Sequence, residues 1–274
     1  MKGVARREVR KLRGGVWSAS AEDDVVAEEP LEIRAAGETM AITMRTPGAD
    51  RELAVGFLFA EGVIASRDDV GSVAHCGRPD QEGFGNTIDV RPGAGVSLDL
   101  DRLSATRRGT LTTAACGVCG RRSVDDVIGR CVPQKVVTAM ISAAMISQAT
   151  AALRKLQPNF TRTGGVHAAA LHDARGAVLA AFEDIGRHNA LDKVVGKLLL
   201  EGRIPGNEAA LLVVSGRASF EVVQKASAAN IPIIASVSAA SSLAVDLARA
   251  ASITLCGFVR DGNLTVYSHP ERIG

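Results

Sequence analysis

The chain has 274 residues, enough for one large domain or two small ones around a real hydrophobic core. Hydrophobic residues are 46%, charged residues 23% and the net charge is +2, which excludes a disordered composition and gives no ground for nucleic-acid binding. Five cysteines (76, 116, 119, 131 and 256), an odd number in a long chain, argue against a secreted disulfide framework, so the expectation is a reduced, cytoplasmic protein.

The N-terminus, MKGVARREVRKLRGG, is basic and lacks the apolar run of a signal peptide. Residues 1–27 read as a flexible basic lead. Residues 31–45 hold two strand-like runs around Ala36-Gly37, a hairpin pattern. Asp50 is placed to cap a helix over 51–63, and two strands are predicted at 86–91 and 96–100. Residues 103–123 show no period and read as a mobile loop. Pro133 opens a helix that takes in residues 136–153, a stretch almost free of charge. Its Ala and Ser content, with Thr138, Gln148 and Thr150, makes transfer into lipid poor, so a buried helix is expected and no membrane span. Beyond residue 158 a hairpin (168–171 and 177–182) leads into a helix at 187–200. Strands at 211–214, 231–237 and 254–259 then alternate with helices at 220–229 and 242–251, and a turn at Asp261-Gly262-Asn263 gives a last strand, 264–267. That alternation predicts an α/β sheet, partly parallel, over residues 131–274, with a smaller α+β part over 28–130.

Three sets of residues carry chemistry. TTAACGVCGRRS (residues 112–123) holds Cys116 and Cys119 among glycines and arginines. Metal binding, disulfide exchange and sulfur carriage all use Cys-x-x-Cys. No second pair is present to complete a structural zinc site, and no strong strand precedes the pair as a thioredoxin-like site would require. Arg107, Arg108, Arg121 and Arg122 would lower the thiol pKa, which favours a reactive thiolate over a chance pair of buried cysteines. EDIGRHNALDK (183–193) packs seven polar groups into a helix start; Asp184 or Asn189 capping is the plain reading, and the company of His188 and Arg187 suggests a site. SGRAS (215–219) and SVSAASS (236–242) each open a helix after a strand, where free N–H groups favour phosphate. Ser215, Gly216, Arg217, Ser219, Ser236 and Ser238, with Lys225 and Arg260, suggest a large anionic ligand. His167 follows two glycines at the head of a strand and joins this set.

TGGVHAAAL, FEDIGRHNALDKVVGKLL, VVSGRASFEVVQKA, SAASSLAVDLA and TLCGFVRDGNLTVYSHPERI, with ACGVCG upstream, closely resemble the FdhD family over residues 28–272. Members are accessory sulfurtransferases for formate dehydrogenase. The resemblance implies a carrier that accepts persulfide sulfur from a cysteine desulfurase. It passes that sulfur to molybdenum bis(molybdopterin guanine dinucleotide), a ligand that a guanine nucleotide could mimic. Cys116 matches the persulfide cysteine and Cys119 the second cysteine of the loop. Phe258, Val259, Arg260, Asp261, Gly262 and Asn263 match the cofactor-binding stretch. The family also implies a homodimer and a C-terminal three-layer sheet resembling the cytidine deaminase fold. That fold's zinc signature pairs H-x-E with P-C-x-x-C. Here Ala168 and Ala169 follow His167, so no catalytic metal is expected. The alternative reading is a non-enzymatic chaperone that binds and delivers the cofactor.

Overall fold

The computed structural model describes residues 3–78, 80, 84–100 and 140–274. The expected flexible lead is corrected over its described part, which is a paired ribbon. Val4–Val9 (β1) runs antiparallel to Ala21–Val26 (β4), and Leu12–Arg13 (β2) pairs with Val16–Trp17 (β3) at the tip. Opposite charges specify the register: Arg6 faces Asp24 and Arg7 faces Asp23. With polar residues carrying the pairing, hydrophobic alternation gave no strand signal.

Glu29–Ala35 (β5) and Glu38–Arg45 (β6) form the expected hairpin, turning through Ala36 and Gly37 at φ 51° and 86°. The next helix is Asp50–Ala60 (α1). Asp50 is not its cap; Ala49 is, and the Asp50 carboxylate is drawn instead to Arg45 Nε at 3.0 Å. Val70–His75 (β7), not foreseen, pairs with Thr87–Pro92 (β8). The strand expected at 96–100 is absent; Val96 N–H turns back to Gly93 O, and Leu98 and Leu100 pack on the core. These strands make a four-stranded sheet in the order β6-β5-β8-β7.

Ala143–Leu153 (α2) is shorter than predicted. Ser142 caps it, its hydroxyl accepting from Met145 N–H at 3.2 Å, and Ile141 just before forms an isolated bridge to Ile273. Pro158–Thr163 (α3) was not foreseen. The remaining elements fall where the sequence placed them: His167–His172 (β9), Val178–Asp184 (β10), Arg187–Leu200 (α4), Leu211–Val214 (β11), Phe220–Ala228 (α5), Ile233–Ser236 (β12), Ser242–Ala250 (α6), Thr254–Arg260 (β13) and Asn263–Ser268 (β14). The sheet order is β10-β9-β11-β12-β13-β14, with β11, β12 and β13 parallel and the outer strands antiparallel. The central strands LLVV and IIAS are buried throughout, as strands covered on both faces must be. Residues of α2 build a core on one face and those of α4, α5 and α6 one on the other, so the class is mixed α/β in three layers.

The division at residues 28–130 and 131–274 has no counterpart in the packing. One core joins Leu31, Ile33, Leu58 and Ile88 to Leu191, Val195, Leu212 and Ile234. The boundary itself, near residues 124–133, lies outside the described residues. Helices α1 and α4 cross backbone to backbone: a Cβ on Gly56 would lie 1.9 Å from Asp192 O, and one on Gly196 1.9 Å from Glu52 O. Only glycine permits that approach.

Candidate functional site

A cavity of about 610 Å³ opens where α2 and α3 meet the carboxyl ends of β11, β12 and β13. Ligands of open α/β sheets sit at such strand ends. One wall is a single helical stripe: Ser147, Thr150, Ala151 and Arg154 fall at i, i+3, i+4 and i+7. A second wall is Gly164–His167 with Phe160, whose ring carries the Arg154 guanidinium 4.2 Å from its centroid. Glu183 fixes that wall by accepting from the backbone N–H groups of Asn159 at 2.9 Å and Phe160 at 2.8 Å. The third wall is Ser215, Val237 and the segment Val259–Asp261.

That last segment is held in an unusual shape. Phe258 and Asp261 are both left-handed, at φ 52° and 50°, although neither is glycine. Such conformations cost about 1–3 kcal/mol each and cluster at ligand sites. The β13–β14 register slips between Gly257 and Arg260, and Phe258 N–H is tied to Ser238 O at 3.1 Å. A Cβ on Gly257 would press within 2.9 Å of the Tyr267 ring. The turn is anchored across the cavity by Gly262 N–H donating to Ser147 Oγ at 3.1 Å.

Two arginines, Arg154 and Arg260, supply positive charge, and among the described residues neither is spent on an ion pair. His167 is not a third cation. Burial first, then the nearby charges of Arg187 and His188, hold its pKa below the ordinary imidazole value, so near neutrality the ring is uncharged and hydrogen-bonds as a neutral group. The cavity can therefore take an anionic, partly aromatic molecule: guanidinium groups for phosphate, the Asp261 carboxylate for N–H donors, and apolar Leu153, Val166, Val237 and Val259 for a flat ring.

The expected binding residues divide sharply. His167, Ser215, Val259, Arg260 and Asp261 line the cavity. Gly216 sits directly behind His167, where a Cβ would meet its Nδ1 at 3.2 Å. Phe258, Gly262 and Asn263 belong to the same strained turn. Ser236 is buried as a bolt, donating to Gly216 O at 2.7 Å, and Ser238 serves through its backbone. Arg217 is exposed and is not on the cavity wall. Lys225 is corrected outright: it is buried between helices, its Nζ 2.6 Å from Asp192 Oδ1, because the amphipathic stripe of α5 turns it inward toward α4. Ser219 is at the N-cap of α5, but its Oγ faces His188 Nε2 at 3.1 Å. The EDIGRHNALDK stretch is an interior joint. Asp184 caps nothing for α4; it accepts from Lys193 Nζ at 2.6 Å, from Asn189 Nδ2 at 3.0 Å and from Thr46 N–H at 3.2 Å. Cys116 and Cys119, with the loop 103–123, lie outside the described residues.

A profile of the FdhD/NarQ family matches residues 26–274. The chain belongs to the FdhD/NarQ family. Its relatives include proteins named sulfur carrier protein FdhD from Anaeromyxobacter dehalogenans, 54% identical with 99% of this chain and 94% of that protein covered. Another is from Mycolicibacterium paratuberculosis, 45% identical with both chains covered in full. Among solved structures, a Desulfotalea psychrophila protein described as a formate dehydrogenase accessory protein superposes with TM-score 0.77 at 25% identity, covering 99% of this chain and 100% of that one. The FdhD/NarQ match spans the ribs of the cavity on both sides, from α2 to the β13–β14 turn. Ser147, Thr150, Arg154, Gln157 and Phe160 are cavity residues that sequence reasoning missed. Ser147, Thr150 and Arg154 carry a signal, a polar i, i+3, i+7 stripe in a largely apolar segment; Gln157 and Phe160 carry none.

Proposed function

We propose that this chain is a sulfur carrier for formate dehydrogenase maturation, working as a homodimer. Cys116 thiolate attacks the outer sulfur of a cysteine desulfurase persulfide, forming the new S–S bond while the donor cysteine leaves as thiolate. Cys119 thiolate then attacks the inner sulfur of the Cys116 persulfide, forming the Cys116–Cys119 disulfide while the outer sulfur leaves as sulfide to molybdenum bis(molybdopterin guanine dinucleotide) as the acceptor substrate. The observation that supports this most is the cavity at the strand ends. Its two arginines, neither in an ion pair among the described residues, its neutral His167 and its strained Phe258–Asp261 turn suit a phosphate-bearing guanine nucleotide. Arg154 and Arg260 would hold phosphate, Ser215 and Ser147 would donate to it, and Asp261 would accept from the guanine N–H groups. Of the two described cysteines, Cys256 is unsuited to carriage: it is buried, and burial pushes its thiol up to about 12, so it stays protonated near pH 7.

Incubation with a cysteine desulfurase and cysteine, followed by mass spectrometry, tests the reading. A gain of about 32 Da, one sulfur atom, is expected on the Cys116 peptide and absent in Cys116→Ala. Arg154→Ala and Arg260→Ala should each weaken GDP binding by about tenfold or more, at roughly 1.5–3 kcal/mol per charge-assisted contact. Sulfur transfer that survives in Cys116→Ala would refute carriage on that residue. Adduct formation without any GDP affinity would refute the acceptor site, and GDP affinity with an inert Cys116 would leave a cofactor-delivery chaperone.

A further inference from the structure

On the face of the sheet opposite the cavity, the carboxyl end of β11 carries a second arrangement that sulfur carriage does not use. Ser219 Oγ lies 3.1 Å from His188 Nε2, and His188 Nδ1 contacts the Glu221 carboxylate through Oε2. His188 and Glu221 are each 5% exposed, while Ser219 is partly open to solvent. A half-buried hydroxyl thus meets an imidazole and a carboxylate that are both buried.

A helix cap alone does not account for it. As the N-cap of α5, a serine would accept from the first-turn N–H groups, yet Ser219 forms no such bond. A buried strut alone does not account for it either, since strut carboxylates have both oxygens satisfied, and Glu221 Oε1 is buried with no hydrogen-bond partner among the described residues. With the ring proton drawn to Nδ1 by the carboxylate, a neutral imidazole would turn its Nε2 lone pair toward Ser219 Oγ. The serine O–H therefore donates to a base that is itself oriented by an acid, the relation that activates a serine nucleophile. The N-terminal turn of α5 adds backbone N–H groups of Phe220 and Glu221, which have no acceptor within the helix and can meet a developing oxyanion.

We propose that Ser219, His188 and Glu221 form a serine-type acyl-transfer centre that accepts carboxylic esters, separate from the cysteine chemistry. Ser219 Oγ bonds to the acyl carbon and its proton moves to His188 Nε2. The acyl–oxygen bond breaks, and that proton leaves with the alcohol. Water repeats the path, releasing the acid and restoring Ser219.

The full-length chain treated with a fluorophosphonate probe decides this. Ser219 Oγ would form the P–O bond, fluoride would leave from phosphorus, and the proton would pass to His188. Peptide mapping should find one adduct on the Ser219 peptide, none in Ser219→Ala, and labelling slowed about a hundredfold in Glu221→Gln, in line with the share of rate that general-base assistance provides. The unfolded wild type in urea should not label. An unmodified Ser219 in native wild type, labelling as fast in urea, or an unchanged rate in Glu221→Gln would each overturn the proposal, and the urea arm does not depend on any variant folding.

Discussion

Asp192 and Lys225 meet at 2.6 Å with both side chains almost wholly out of water. Burial pushes the Asp192 carboxyl up to about 6, against the pull of Lys225. Burial alone would lower Lys225, but Asp192, Glu61 and Glu221 outweigh it and raise the ammonium. The dry interior thus raises Asp192 directly, while the carboxylates gathered around Lys225 raise the cation in spite of it. Between about 6 and 3.8 the folded chain holds a proton on Asp192 that the unfolded chain has released. This group therefore lowers stability in full above about 6, and the loss fades as pH falls toward 3.8. A gap from 3.8 to about 6 corresponds to roughly 3 kcal/mol at about 1.36 kcal/mol per pH unit. Urea melts of wild type and Asp192→Asn should show the wild type gaining on the variant as pH drops from 7 to 4; a constant difference contradicts the assignment. Lys225→Met leaves Asp192 buried without its partner and should cost about 3–5 kcal/mol in the same melts at neutral pH.

The helices α1 and α4 pass so closely that neither Gly56 nor Gly196 has room for a methyl group. Both obstructions are backbone atoms on the opposite helix, which cannot swing aside as a side-chain tip would. Gly196→Ala should separate the helices and destabilise the fold by about 3 kcal/mol or more, the upper end for overpacking, read as a lowered melting temperature. Gly262→Ala meets no neighbour among the described residues, so its cost should come from φ 80° at the turn, about 1 kcal/mol. The elements that the sequence disclosed are those with strong hydrophobic periods: α4, β11, α5, β12 and α6 all sit within a few residues of their predicted bounds. Those that it hid rely on other forces. The β1–β4 ribbon is registered by charge, and α3 is a six-residue helix opened by Pro158 and held by Glu183 from another strand.

For the molecule as a whole, the sequence pointed to the strand ends where the cavity lies and to five of the sixteen residues that line it, His167, Ser215, Val259, Arg260 and Asp261, because strand-turn-helix junctions are local. It did not disclose which polar residues turn toward the cavity and which turn inward. Lys225 and Arg154 show why. Both are basic residues on helices, and only the rotation of each helix against the sheet decides that Lys225 faces Asp192 and Arg154 faces the cavity. Gly262 N–H and Ser147 Oγ join opposite walls of that cavity, so the walls stand in place before the proposed nucleotide would arrive. Part of the ordering cost of binding is thereby met by folding.

The single core shared by Leu31, Leu58, Leu191 and Leu212 also limits how the chain can be dissected. A fragment beginning at residue 140 would keep the six-stranded sheet yet lay bare the side of α4 that α1 covers, including its glycine notch. Such a piece has a large greasy surface and a docking groove shaped for its missing half. In a mixture of separately expressed halves, reassembly should compete with clumping, and co-expression should rescue what neither half manages by itself.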